Sequence, residues 1–111
     1  MEGKRVEIRE NIAGGKGFIK LEHLMSEKIA DNCRMFASVT VKPGDSIGNH
    51  PHNGETETYY IIAGDGIYTD NGKEYPVKVG DTVHCKDGDS HGIRNEGTAD
   101  LVFIALILMT K

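Results

Sequence analysis

Five histidines occur in this 111-residue chain, and three stand at spacings that suit joint chemistry. His50 and His52 are separated by one residue, Glu57 follows shortly after, and Gly44 and Gly64 frame the stretch. A second stretch, Gly80 to Asn95, supplies His91. Imidazole nitrogens and a carboxylate oxygen are donors that Zn, Fe, Ni, Mn or Cu accept, and the absence of thiolate argues against a closed structural zinc site. Three imidazoles and one carboxylate, arriving on three short segments, therefore predict a mononuclear metal centre held by His50, His52, Glu57 and His91.

Elements must bring these side chains together. Side chains alternate faces along a strand, so a strand through 50–52 points His50 and His52 to the same side, with Cα atoms roughly 7 Å apart. Asn53-Gly54 is a tight-turn signal, and it predicts a hairpin that returns Glu57 on the neighbouring strand. Asp87-Gly88 predicts another turn and leaves His91 near a strand end. Glu55 has the parity of Glu57 and is the alternative carboxylate. The same parity directs Tyr59 and Ile61 toward the centre and Tyr60 and Ile62 away from it. Tyr59 is thus a candidate acid or hydrogen-bond donor in the pocket, the alternative being ordinary core packing. His84 reads as a surface or satisfied core residue. His23 shares a strand face with Ile19, Leu21 and Met25 and reads as a surface or satisfied core residue, or as part of the pocket.

The two stretches resemble the signature motifs of the cupin superfamily. Motif one, Gly-x5-His-x-His-x4-Glu-x6-Gly, is matched by Gly44, His50, His52, Glu57 and Gly64, over 44–64. Motif two, Gly-x5-Pro-x-Gly-x2-His-x3-Asn, is matched over 80–95 by Gly80, Gly88, His91 and Asn95, with Lys86 in place of the family's proline. That departure touches the rigidity of a loop and leaves the ligands in place. The resemblance is to small single-domain bacterial cupins. It implies an all-β jelly-roll barrel or sandwich of two antiparallel sheets, formed by a single domain over 1–111. It also implies that Glu57 can leave the metal and act as a base, whereas Asn95 has a structural role at the end of its strand.

The rest of the chain agrees with an all-β reading. Fourteen glycines punctuate strand-like runs at the 8–12-residue spacing of sandwiches and barrels. Residues 5–9 and Cys33 to Val41 alternate apolar and polar positions, as does Phe18 to Met25. Asn71-Gly72 is a second hairpin signal, and 26–32 reads as a loop or one helical turn. Leu101 to Met109 has no polar face, so both of its sides should be covered. A second copy of the chain is the simplest cover for the outer side, and a homodimer is expected.

Function classes can be excluded as well. A net charge of −4 with scattered lysines and arginines gives no basic face for nucleic acid. The N-terminal stretch lacks a signal-type apolar segment, and the apolar run at 101–109 is too short to span a bilayer as a helix, so no membrane partner and a cytoplasmic location are expected. Cys33 and Cys85 are far apart in sequence and are expected as free thiols. Four protein ligands leave open positions on an octahedral ion, and a divalent ion with one carboxylate keeps a positive charge. The site therefore suits a small polar, oxygen-rich or sugar-derived molecule. Catalysis of isomerase, lyase or dioxygenase type, with Glu57 and Tyr59 as catalytic groups, is the first expectation. A non-catalytic ligand-binding or sensor cupin is the alternative, and a storage role is the weakest.

Overall fold

Alternation of apolar and polar residues governs most of the strands. The structure, a computed structural model, describes residues 5–110; residues 1–4 and 111, which the expected domain includes, lie outside the described residues. Ten strands are formed: β1 (Arg5–Glu10), β2 (Phe18–His23), β3 (Cys33–Val41), β4 (Ser46–Pro51), β5 (Glu55–Ala63), β6 (Asp65–Asp70), β7 (Lys73–Lys78), β8 (Thr82–Cys85), β9 (Ser90–Arg94) and β10 (Leu101–Met109). A 3-10 turn, Ile12–Gly14, follows β1, and 26–32 is loop and turn without a helix.

The strands divide into two antiparallel sheets. One has the order β1-β2-β3-β10-β5-β8, and the other β4-β9-β6-β7. This is the expected all-β architecture of two antiparallel sheets. Inward residues of the larger sheet, among them Leu21, Val41, Ile61 and Phe103, form one apolar cluster with Tyr68, Val77 and Ile93 of the smaller. Each such side chain contributes roughly 1.5–3 kcal/mol of hydrophobic stabilisation on full burial.

Strand β10 lies between β3 and β5 at the middle of the larger sheet. Its inward residues Leu101, Phe103, Ala105 and Ile107 are buried. On the outer side Val102, Ile104 and Leu106 are only half-buried, so the chain by itself covers one face of this apolar strand.

The two asparagine–glycine signals have different outcomes. Asn71 (φ 50°) and Gly72 (φ 84°) turn β6 into β7, as a hairpin with both central residues left-handed requires. Asn53-Gly54 does not form the expected hairpin. β4 pairs with β9, whereas β5 pairs with β10 and β8, so the connection crosses from one sheet to the other. The reason lies in the backbone partners. The N–H of His52 donates to Asp89 (3.0 Å) and its carbonyl accepts from Gly88 (2.7 Å), while the N–H of Gly54 donates to the Asp87 carboxylate (2.8 Å). The 86–89 loop occupies the groups that a β4–β5 hairpin would need. Glu57 therefore faces the histidines across the interior instead of standing beside them on an adjacent strand.

Candidate metal centre

Residues from four places in the fold converge inside the sandwich. His50 lies near the end of β4, directly opposite His91 of β9 in the sheet register, and His52 follows just beyond β4. Glu57 enters from β5 of the other sheet. Their potential donor atoms all lie within 4.8 Å of one another, and His52, Glu57 and His91 are buried. The three imidazole centroids form a nearly equilateral triangle, with separations of 4.9, 4.8 and 4.9 Å.

Each ring is held through its Nδ1. His50 Nδ1 donates to the carbonyl of Gly48 at 2.8 Å, and a carbonyl can only accept, so Nε2 carries the lone pair. His52 Nδ1 bonds the Glu55 carboxylate. Glu55 is itself gripped by Arg34 through Nε (2.7 Å) and Nη2 (2.8 Å), and that pairing holds its carboxyl below the usual range, as an acceptor. His91 Nδ1 stands 2.8 Å from the hydroxyl of Tyr68. Partners of this kind fix the tautomer and orientation of metal-binding histidines.

The inner atoms are then crowded. His52 Nε2 is 2.9 Å from Glu57 Oε1 and 3.1 Å from His91 Nε2, and His91 Nε2 is 3.0 Å from the same carboxylate oxygen. Lone pairs facing one another at such distances require a shared cation, either a proton or a metal ion. Two ligands at right angles on an ion with bonds of about 2.1 Å stand about 3.0 Å apart, so the spacing fits a divalent metal. The donor set and the distances thus suit a metal ion at this centre.

Electrostatics follow the same geometry. Burial tends to raise the Glu57 carboxyl, but its bonds to His52 and His91 more than offset this and bring it to about 2. His52 is raised, chiefly by its bond to Glu57, with burial opposing and Glu55 assisting. His50 is lowered, chiefly by burial. Burial also holds the Tyr59 phenol well above its ordinary range, so it remains protonated.

A cavity of about 280 Å³ lies beside the centre. Tyr59 is in its wall and stacks on His91 at a centroid distance of 5.0 Å. Much of the remaining wall is apolar, with Met35, Ile47 and Phe103 among the contributors, and Arg9 and Arg34 are its two cationic residues. A larger recess of about 520 Å³, next to β6 and β7, shares no residue with this site.

Other expectations sort cleanly. Glu55, the alternative carboxylate, stands behind His52 on the Nδ1 side and not among the converging atoms. His23 is absent from the cavity wall; it is buried, with Nε2 bonded to Glu7 at 2.7 Å. His84 is exposed and bonds Thr58 at 2.7 Å. Asn95 is buried and ties together the carbonyls of Val41 and Ala99 and the N–H of Gly97, a structural role. Sequence reasoning did not find Arg34, Tyr68 or the Gly48 carbonyl as partners. For Arg34 and Tyr68 the pairing depends on which strands become neighbours, whereas the Gly48 carbonyl is local to His50, two residues away, and is set by the backbone of β4.

Known proteins are similar to this chain in sequence and in fold. An oxalate-binding protein of Thermotoga maritima is 45% identical over 100 residues, which cover 89% of this chain and 83% of that protein. The crystal structure of a predicted oxalate decarboxylase from Thermotoga maritima superposes with a TM-score of 0.90 at 43% identity, covering 96% of this chain and 93% of that one. The cupin domain of Cnp3 from Schizosaccharomyces pombe shares the fold alone, with a TM-score of 0.76 at 15% identity over 94% of this chain and 69% of that one. The model of the family described as the cupin domain matches residues 37–107, and the chain belongs to that family.

Proposed function

We propose that this chain, as one cupin domain over 1–111, holds a divalent transition metal through His50, His52, Glu57 and His91 and uses it to bind a small oxygen-rich anion. Oxalate is the first candidate. The observation that carries this reading is the buried donor set opening on a cavity of about 280 Å³, at the small end of the roughly 300–1,000 Å³ usual for small-molecule sites. The name of the Thermotoga maritima relative supports the choice of oxalate. When bound, the metal supplies a positive centre and open coordination positions that carboxylate oxygens can take. The protein's part is to keep the three Nε2 lone pairs aimed inward and to surround the ligand with apolar walls.

Catalysis by an isomerase, lyase or dioxygenase route is the second reading, and Tyr59 is its specific support. The phenol stands in the cavity wall and stays protonated, so it can donate a hydrogen bond to a bound ligand. It is a weak proton donor by the same burial. Glu57 is the one carboxylate among the described residues of the wall and is held ionised, which leaves no separate carboxyl acid in the cavity. Binding needs no such group.

Calorimetric titration of oxalate into protein loaded with manganese or zinc, with metal-free protein as control, tests the proposal. Saturable binding at one site per metal, absent from the metal-free protein, is expected. Loss of oxalate on long incubation, followed by chromatography, would promote the enzyme reading. No uptake of metal by the folded protein would remove the basis of both.

Two further parts of the reading concern the molecule as a whole. The half-covered outer side of β10 supports a homodimer. Buried free thiols at Cys33 and Cys85 suit a reducing, cytoplasmic setting. No helix among the described residues is long and apolar enough to cross a membrane.

A further inference from the structure

Both cationic residues of the cavity wall are half-exposed arginines, which places them at its mouth, away from the buried donor atoms. Each has a carboxylate partner, Glu55 for Arg34 and Glu7 for Arg9. Neither glutamate is part of the wall. Glu55 sits between Arg34 and His52 and fixes the guanidinium, while Arg34 itself forms part of the cavity wall. Arg34 gives Nε and Nη2 to Glu55, and Nη1 makes no hydrogen bond to any described residue. A planar guanidinium with donors to spare, facing a small space opposite a metal centre, is suited to carboxylate oxygens that the metal does not take.

We infer that Arg34 determines specificity at this site: it reads the outward oxygens of a dicarboxylate whose inner oxygens lie on the metal, and so separates dicarboxylates from monocarboxylates. This rests on the metal-dependent anion reading given above. Three observations support it together. Arg34 comes from β3, across β10 from Glu55 on β5, so the ion pair bridges over β10 and anchors Arg34 where it joins the cavity wall. The walls between rim and centre are largely apolar, which gives a monocarboxylate nothing further to bond once its oxygens are on the metal. Arg34 also braces Glu55 against His52, so anion recognition and metal support meet in one side chain. Arg9 adds a second positive charge at the same rim.

The test separates recognition from support. Arg34→Met and Arg34→Lys are prepared, loaded with manganese, and assayed for metal content. Oxalate and acetate are then titrated by calorimetry, with affinities expressed per bound metal. Expected is a loss of oxalate affinity on the order of tenfold to a hundredfold in Arg34→Met, with acetate changed less than threefold and a partial return in Arg34→Lys. Oxalate and acetate weakened equally, or oxalate affinity per bound metal unchanged, would make Arg34 a mere brace for His52 and overturn the inference. Wild-type protein that takes up manganese but no oxalate would overturn the anion reading, and this inference with it.

Discussion

His52 and His50 are neighbours in sequence with opposite electrostatic settings. Protons and metal compete for the same Nε2 lone pairs, so metal affinity falls as pH falls. His52, raised by Glu57 and Glu55, takes up its proton at higher pH than His50, which burial lowers. Metal binding near neutral pH should therefore release on the order of one proton, and the release should shrink as pH rises. Calorimetry of zinc binding in two buffers of different ionisation enthalpy measures this directly; heats independent of the buffer would contradict it. Glu55 acts through Nδ1 of the same ring. Glu55→Gln should retain the fold and weaken metal binding by roughly ten- to a hundredfold, the usual cost of removing such a partner. Unchanged metal affinity would assign Glu55 to the surface ion pair with Arg34 alone. His50, His52 and Glu57 were legible in the sequence because their spacing is local, and His91, 34 residues beyond Glu57, because it sits in a second stretch with its own spacing of glycines and Asn95. Arg34 was not legible. It meets Glu55 only because β10, from much later in the chain, comes to lie between β3 and β5.

Strands were legible wherever one face is buried. Cys33 to Val41, the strand that carries Glu57, Tyr59 and Ile61, and the hairpin at Asn71-Gly72 follow the side-chain parity and turn chemistry of the chain. The Asn53-Gly54 hairpin fails because turn residues specify a reversal without specifying which sheet receives the next strand. At Gly48 a close approach decides the local structure: a Cβ there would stand 2.0 Å from the carbonyl oxygen of Ala13. The 3-10 turn can therefore dock on β4 only over a glycine. Gly48→Ala should push that turn away and disturb the carbonyl that holds His50, with a stability loss of about 1–3 kcal/mol. Thermal unfolding and metal content together check this, and a fully stable, fully loaded variant would refute the docking argument. β1 is held partly by Glu7, whose carboxyl is lowered to about 2 by Arg9 and His23. A carboxyl depressed in the folded state stabilises above its unfolded value, and this is lost as pH falls from about 4.5 toward 2. Glu7→Gln should therefore lower the melting temperature at pH 7 by more than at pH 3, with a cost at pH 7 of at most about 1 kcal/mol for so exposed a pair. An equal deficit at both values would mean that the pair contributes nothing through its charge.

At the scale of the whole molecule, the larger sheet has two faces with different neighbours. Its inner face meets the smaller sheet and the candidate centre. Its outer face presents Tyr60 and Ile62 of β5 at 47% and 44% exposure beside the half-buried Ile104 and Leu106 of β10, while Val6 and Ile8 of β1 lie on the same face beyond the polar Lys20, Glu22, Ser38 and Thr40. Soluble monomers seldom leave contiguous apolar surface larger than a few hundred Å², and a stable interface takes roughly 800 Å² from each partner. The proposed homodimer would place a second copy on this face and so cover the outer side of β10. Sedimentation of the purified protein should therefore give about twice the 12.2 kDa chain mass at micromolar concentration. Tyr60→Lys places a charge on this face, opposite Ile104 in the register, and should yield a monomer. Because Tyr60 points away from the centre, the variant should bind as much metal per chain as the wild type. That combination, monomer with full metal content, separates assembly from site formation. A wild-type chain that sediments as a monomer, or a Tyr60→Lys dimer indistinguishable from it, would show that this face is not where two copies meet.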